Sequence, residues 1–198
     1  MNEKSKIEFF SKPDYLNENL KVSFTIEKIV VENLPKITKE ELKSKKEQYA
    51  IFSGTNEIRG DNSVYINITG VTTISEENQQ NRRYYKERVE MVEEINLIEI
   101  KKLIEQLESI GEIKPGEIFL GDIHTHPILP SELSGISGAQ PSDGDIKEII
   151  DAYENNILNF REPFIFSIAA PDEKGETMYA FYRLVKTKEG YKPKHLDH

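Results

Sequence analysis

Cysteine is absent from the 198 residues of this chain. Disulfides and thiolate metal sites are therefore excluded, and any bound metal must be held by histidine, by carboxylates or by backbone oxygen. The chain also lacks an apolar stretch long enough to span a membrane. Its first residues, Met1 to Lys6, are not followed by the apolar run of a signal peptide. We therefore expect a soluble, cytoplasmic protein.

Basic residues are outnumbered by acidic ones, 26 to 35, which gives a net charge of −9 and an isoelectric point near 5.1. An acidic chain repels phosphate backbones and anionic lipid surfaces, so we expect neither nucleic acid nor a membrane as a partner. Hydrophobic residues make up 37% of the chain and cluster into segments, which is enough for a sizeable core. The composition leaves the oligomeric state open.

Local patterns divide the chain into an N-terminal extension over residues 1–20, a domain over residues 21–186 and a C-terminal tail over residues 187–198. Apolar runs predict strands at residues 22–26, 48–53, 64–71, 117–123, 164–169 and 178–185. Capping residues and helical spacing predict helices at residues 38–46, 96–107 and 142–154, while residues 84–92 fit either type. Turns are predicted at residues 55–62 and 172–175. The predicted fold class is α+β, a mixed β-sheet flanked by helices.

Two short segments carry candidate metal ligands. His124 and His126 lie at the end of a predicted strand, where residues i and i+2 point to the same face. Ser142 and Asp145 open a predicted helix, which places the Asp145 carboxylate within its first turn. Two histidines and one aspartate form the ligand set of a catalytic zinc site, with the fourth position left for water. Taken separately, a His-x-His pair is often incidental, and Ser142 with Asp145 also suits plain helix capping.

Together these segments resemble the signature of the JAMM (MPN+) metallopeptidases, which is His-x-His-Pro followed by Ser-x-x-Asp. Here the motif reads His124-Thr125-His126-Pro127 and then Ser142-Asp143-Gly144-Asp145. The family also has an upstream glutamate before a buried strand that ends in glycine, which Glu47-Gln48-Tyr49-Ala50-Ile51-Phe52-Ser53-Gly54 matches. The resemblance covers roughly residues 20–186 and implies a cytidine-deaminase-like JAMM/MPN domain.

The resemblance also implies a role for each motif residue. His124, His126 and Asp145 would hold Zn²⁺, which lowers the pKa of its bound water and polarises the scissile carbonyl. Glu47 would take the proton of that water and pass it to the leaving amine. Ser142 would donate a hydrogen bond to the oxyanion. Without the other segments, Glu47 would be read as a solvated carboxylate at a helix end, and Glu57 is a second, weaker candidate for the base.

The sequence departs from the family pattern in its spacer. Residues 128–141 separate Pro127 from Ser142, about twice the usual length. A longer loop can bulge outward without moving the ligands, because loop entropy grows slowly with length. This loop is interpreted either as a flap over the cleft or as a passive insertion.

Three functions fit these observations. The first is a zinc-dependent isopeptidase or peptidase that removes or processes ubiquitin-like proteins, so the substrate would be a ubiquitin-like protein or its conjugate. The second is a non-catalytic MPN-fold interaction module within a protein complex, although such relatives typically lose metal ligands. The third, an amidohydrolase barrel, is disfavoured because that fold needs further histidines on later strands, and none lies between His126 and His195.

Overall fold

A computed structural model describes residues 12–59, 62–73, 105, 107–109, 111, 113–133 and 138–197. The strands are β1 (Lys21–Ile26), β2 (Tyr49–Ile58), β3 (Ser63–Thr73), β4 (Ile118–Thr125), β5 (Ile165–Pro171), β6 (Thr177–Thr187) and β7 (Gly190–Leu196). The helices are α1 (Lys28–Asn33), α2 (Lys39–Ser44) and α3 (Asp143–Glu154), with a 3₁₀ turn at Pro130–Leu133. The ambiguous segment 84–92 and most of the predicted helix 96–107 lie outside the described residues.

The seven strands form one sheet in the order β1-β3-β2-β4-β5-β6-β7. The pairs β1–β3 and β4–β5 are parallel, and the other neighbours are antiparallel. The sheet curls into a half-barrel with a few helices, so the predicted α+β class with a mixed sheet is confirmed. The amidohydrolase alternative is wrong, because that barrel requires parallel strands throughout. Of the helices in the described part of the chain, none has the length and apolar character needed to cross a bilayer.

Helix α3 and strand β5 show how the sequence builds the centre of the fold. Helix α3 begins after Ser142, as predicted, because Ser142 and Asp145 form a capping box. Its buried residue Ile149 belongs to the same apolar cluster as Phe166 and Ile168 of β5. Every residue of β5 is buried, as expected for a central strand covered on both faces. This packing fixes the start of α3 beside the end of β4.

Strand β2 is longer than the sequence predicts. Gly54 does not end it; the strand continues to Ile58, so the predicted turn at residues 55–62 is wrong over its first half. Gly54 lies beside a register shift, where a Cβ atom would collide with the backbone oxygen of Asn67. The glycine is therefore required by the close approach of β3 rather than by a turn. The extension also places Glu57 within a strand.

The packed structure continues beyond the predicted domain boundaries at both ends. Residues 187–198, predicted as a tail, contain β7, which pairs with β6 over its length. In the predicted extension, Tyr15, Leu16 and Leu20 are buried. The buried Arg183 guanidinium of β6 donates hydrogen bonds to backbone carbonyls of that segment, those of Tyr15, Asn17, Glu18 and Leu20. The segment thus packs against the part of β6 that β5 does not cover.

A polar cluster lies where β2, β3 and the start of β4 meet. The Glu117 carboxylate accepts hydrogen bonds from the hydroxyl groups of Thr69 at 2.7 Å and Ser53 at 3.2 Å, and from the backbone N–H of Lys114 at 3.2 Å. Burial raises the pKa of Glu117, but these hydrogen bonds and the Lys114 charge outweigh it, so the pKa is lowered overall. A lowered pKa means that the carboxylate stabilises the fold at neutral pH and that this stability is lost as the pH falls through the folded-state pKa.

We expect Glu117→Gln to lower the free energy of unfolding at pH 7 by roughly 1–3 kcal/mol, the usual cost of weakening hydrogen bonds to a partly buried charge. The difference from the unsubstituted chain should shrink below about pH 4, where the carboxyl in the unfolded chain is protonated. Urea denaturation at pH 7 and pH 3 measures both effects. The exposed Glu173 in the β5–β6 turn offers a matched Glu→Gln control. An equal loss of stability at both pH values would contradict the assignment.

Candidate metal centre

The two histidines leave the same end of the sheet. His124 is the penultimate residue of β4 and is buried, at 5% exposure. His126 follows the strand, but its backbone N–H still donates to the carbonyl of Ala169 on β5, at 2.8 Å. The extended pairing is therefore kept through His126, and the two imidazoles are close neighbours, with ring centroids 4.9 Å apart. Their placement agrees with the i, i+2 spacing in an extended chain.

Asp145 reaches the histidines from the first turn of α3. Its backbone N–H donates to the Ser142 hydroxyl, while its carboxylate oxygen Oδ2 accepts from the Ser142 N–H at 2.6 Å and from the Ser142 hydroxyl at 2.7 Å. The helix-capping interpretation of Ser142 and Asp145 therefore holds. The capping box also directs the carboxylate toward β4, so one arrangement serves both the helix and the site.

The three candidate ligands, two imidazoles and one carboxylate, form a small triangle. Nε2 of His124 lies 3.1 Å from Nε2 of His126 and 3.3 Å from Oδ1 of Asp145, and Nε2 of His126 lies 3.4 Å from Oδ2 of Asp145. Two ligands of a tetrahedral metal ion with bonds of 2.0–2.1 Å lie about 3.3 Å apart. The group formed by His124, His126 and Asp145 can therefore bind a metal ion. In the described part of the chain, it is the one group of this kind.

A backbone carbonyl fixes the orientation of His126. Its Nδ1 lies 3.0 Å from the carbonyl oxygen of Gly138, in the loop between β4 and α3. That oxygen can only accept, so Nδ1 carries the proton and the lone pair of Nε2 points into the triangle. Metal-bound histidines in proteins are oriented by the same kind of contact. The adjacent Ala139 carbonyl accepts a hydrogen bond from the Tyr182 hydroxyl at 2.9 Å, which ties this end of the loop to β6.

The electrostatics of the triangle favour a cation. Burial raises the pKa of Asp145, but the contacts with His124 and His126 outweigh it and lower the pKa of the carboxyl well below its usual range. Burial lowers the pKa of His126, yet its contacts with Asp145 and Gly138 and the nearby Glu47 charge raise it overall. Both pKa shifts show that an ionised Asp145 and a positive charge beside it stabilise each other. A metal ion satisfies that preference at neutral pH.

The candidate base lies next to this triangle, just before β2, the strand paired with β4. Tyr49 is opposite His124 in the β2–β4 register, so Glu47, two residues before Tyr49, lies beside the end of β4. The Tyr49 hydroxyl donates to Oε2 of Glu47 at 3.2 Å. Glu57 lies eight residues beyond Tyr49 along β2, roughly 26 Å from Tyr49 at the rise of an extended strand, and it pairs with Arg59. The structure therefore brings Glu47 to the site and leaves Glu57 far from it.

Thr125, between the two histidines, holds the segment that carries Glu47. Its hydroxyl accepts from the Gln48 N–H at 2.8 Å, and its own N–H donates to the Gln48 carbonyl at 3.0 Å. Thr125 is fully buried, so water cannot readily replace the hydroxyl. The residue at position x of the His-x-His motif thus holds the backbone next to Glu47.

We expect Thr125→Val to increase hydrogen exchange at the Gln48 amide by roughly tenfold, because valine keeps the shape but removes the acceptor. Zinc content should be unchanged, since none of the three ligands is altered. Thr125→Ser is the matched control, because it retains the hydroxyl and should leave exchange at Gln48 close to that of the unsubstituted chain. Amide exchange followed by NMR makes the comparison. Equal protection of Gln48 in the valine and serine variants would rule out this role.

The long loop is only partly described, because residues 134–137 lie outside the described residues. Before this gap, Glu132 in the 3₁₀ turn pairs with Lys45, just after α2, with 2.6 Å between nitrogen and oxygen. After it, Gly138 contacts His126 as described above. The described parts of the loop are thus tied to Lys45, two residues before Glu47, and to His126 of the triangle. Whether the loop acts as a flap remains a prediction.

Comparison with known proteins gives no family assignment. No protein-family model matches the chain, and no curated protein matches it. Among solved structures, the chain is similar to the solution structure of protein DSY2949 from Desulfitobacterium hafniense, with 12% sequence identity and a TM-score of 0.38. That similarity covers 88% of this chain and 92% of that one. A similarity of this size indicates neither the fold nor the function of this chain.

Sequence reasoning missed three residues of the site. Tyr49, whose ring stacks on that of His124, stands out in the sequence only as a member of the segment that follows Glu47. Thr125 occupies the variable position of the His-x-His motif. The contribution of Gly138 is a backbone carbonyl, which no side-chain pattern can reveal. The proximity of Tyr49 to His124 depends on the register of β2 against β4. That register shifts once, between Phe52 and Ser53, and the residue pattern alone does not define it.

Proposed function

We propose that this chain is a zinc-dependent metallopeptidase of the JAMM (MPN+) type that hydrolyses an isopeptide or peptide bond. The observation that carries the proposal is the triangle of His124, His126 and Asp145, whose ligand atoms lie 3.1–3.4 Å apart. It is formed by the two segments that match the family signature. The position of Glu47 beside β4 adds the third matching segment. On this proposal the mixed sheet is a cytidine-deaminase-like JAMM domain.

Zinc is the metal that these ligands favour. Two neutral imidazoles and one carboxylate are typical of catalytic zinc sites, whereas magnesium and calcium prefer oxygen ligands throughout. Three protein ligands leave a fourth tetrahedral position open. Bound zinc would lower the pKa of a water molecule in that position and polarise the scissile carbonyl.

The surrounding residues supply the proton transfers. Glu47, placed beside the end of β4, accepts the proton of the attacking water and delivers it to the leaving amine. The Ser142 hydroxyl stabilises the developing oxyanion. A hydroxyl has one proton, and in this structure that proton is donated to Asp145. Ser142 must therefore turn its hydroxyl from the carboxylate toward the substrate as the reaction proceeds.

The substrate class follows from the family resemblance: a ubiquitin-like protein or its conjugate. The alternative, a non-catalytic MPN-fold module in a protein complex, needs neither a complete ligand triangle nor a carboxylate beside it. The chain keeps both, together with the carbonyl of Gly138 that orients His126. We therefore place the enzyme first.

The test combines metal analysis with cleavage assays on the full chain. We expect about one zinc ion per purified chain. We also expect cleavage of at least one member of a panel of lysine-linked conjugates, linear fusions and short peptides of ubiquitin-like proteins. Activity should be lost after chelation and restored by zinc. A zinc-loaded chain that cleaves no member of the panel would favour the interaction module, and a chain that takes up no zinc would overturn the site itself.

A further inference from the structure

Tyr49 makes two contacts in the site that the proposed reaction does not explain. Its ring stacks on the His124 imidazole, with centroids 5.2 Å apart and an angle of 24° between the planes. Its hydroxyl donates a hydrogen bond to Oε2 of Glu47 at 3.2 Å. The register of β2 against β4 sets both contacts, because it places Tyr49 opposite His124. One half-buried side chain thus touches a candidate metal ligand and the candidate base.

We propose that Tyr49 is a positioning residue that holds the Glu47 carboxylate in a fixed relation to the His124 ring, and hence to the metal. This inference rests on the proposed function. Glu47 is not a metal ligand, so no metal bond would restrain its carboxylate. Tyr49 would supply that restraint.

The need for such a residue follows from where Glu47 lies. Glu47 is in the short connection between α2 and β2, outside regular structure. Its side chain has three rotatable torsions, and the last of them is broad. The Tyr49 hydroxyl fixes Oε2 and leaves Oε1 for the proton of the attacking water. A base displaced by about 1 Å can lose much of its effect, so this restraint has a direct catalytic consequence.

The stacking contact restrains the ring of His124. The imidazole torsion χ2 is broad and roughly two-fold, so the Asp145 contact alone does not define the ring plane of His124. The Tyr49 ring lies nearly parallel to that plane and restricts its rotation. Because the same ring carries the hydroxyl bound to Glu47, the ligand and the base are positioned by one rigid group.

A purely structural role for Tyr49, as a cover over the end of β2, predicts different behaviour. In that case the ring alone matters, and loss of the hydroxyl has no effect on the reaction. Two substitutions separate the possibilities. Tyr49→Phe keeps the stacking on His124 and removes the hydrogen bond to Glu47, whereas Tyr49→Leu removes both.

We expect Tyr49→Phe to keep its zinc affinity and the visible absorption of its cobalt-substituted form, while kcat falls about tenfold with KM unchanged. In a Glu47→Gln background the same substitution should have no further effect, because the group that it positions is gone. Tyr49→Leu should in addition lose about tenfold in zinc affinity and shift the cobalt spectrum. Tyr65→Phe is a matched control, since the Tyr65 hydroxyl forms a hydrogen bond with Thr25 of β1, the strand at one edge of the sheet.

The outcomes separate this inference from the proposed function. If the unsubstituted chain is active and Tyr49→Phe retains full kcat, the contact with Glu47 has no positioning role. A tenfold loss that persists in the Glu47→Gln background would likewise overturn it. Unchanged zinc affinity and cobalt spectrum in Tyr49→Leu would overturn the part that concerns His124, and this readout needs no activity. An inactive unsubstituted chain would overturn the proposed function and, with it, the part that concerns Glu47.

Discussion

Substitution of His126 by alanine is expected to remove the metal and the activity together. His126 contributes one corner of the ligand triangle, and two remaining ligands hold zinc weakly. Each ligand of a zinc site contributes several kcal/mol to the free energy of zinc binding, so the zinc affinity should fall by at least roughly a hundredfold. Metal analysis after gel filtration, paired with a cleavage assay, measures both losses. The same treatment of the unsubstituted chain should recover about one zinc ion per chain.

The control for this experiment is His195→Ala. His195 lies on β7, is about half exposed, and contacts Asp197 and the ring of Tyr182 rather than the triangle. Its substitution should leave the zinc content unchanged. The stronger variant is the double substitution His124→Ala, His126→Ala, which removes both imidazoles. Stoichiometric zinc in that variant would show that the metal is bound elsewhere.

Substitution of Glu47 by glutamine should separate metal binding from catalysis. Glutamine keeps the shape of the side chain and Glu47 is not a ligand, so zinc should stay bound. A glutamine cannot accept the proton of the attacking water, so the rate should fall by roughly 10²–10⁴-fold. Cleavage kinetics and zinc content, measured on the same preparation, show whether the rate falls while zinc stays bound.

Glu57→Gln is the matched control, because Glu57 lies near the other end of β2, far from His124, and its carboxylate pairs with Arg59 in solvent. Its rate should equal that of the unsubstituted chain. A Glu47→Gln variant that cleaves at the full rate would show that another group acts as the base. A Glu47→Gln variant that loses zinc would instead indicate that the carboxylate supports the metal.

Features that depend on neighbouring residues in the chain were predictable from the sequence. The spacing of Ser142 and Asp145 predicted the start of α3, and the spacing of Thr38 and Glu41 predicted that of α2; both capping boxes are present. The same local logic brought His124 and His126 together, since their relation depends only on an extended backbone. Two of the three candidate ligands are therefore placed by a segment of three residues, 124–126.

Features that depend on distant partners were not predictable in this way. The sequence around Val30 is rich in β-branched residues, which disfavour helices, yet residues 28–33 form α1 because Val30 is buried in the main core. Gly54 suggested a turn, whereas the close approach of β3 explains it. Strand β7, with its lysines and Pro193, does not alternate as an apolar strand and exists through its pairing with β6. Such residues suit an edge strand.

The contact between Arg183 and residues 15–20 has a consequence for shortened versions of the chain. Residues 15–17 cover a stretch of β6 that would otherwise present unpaired backbone groups, and Lys186 donates to the carbonyl of Leu16 at 2.7 Å. A version that begins at Lys21 would leave the Arg183 guanidinium without those carbonyls and expose that strand edge. Exposed edges recruit other chains, so the shortened protein should aggregate during expression. Residues 15–20, which the sequence predicts to be part of an N-terminal extension, therefore protect an edge of the sheet from pairing with other chains.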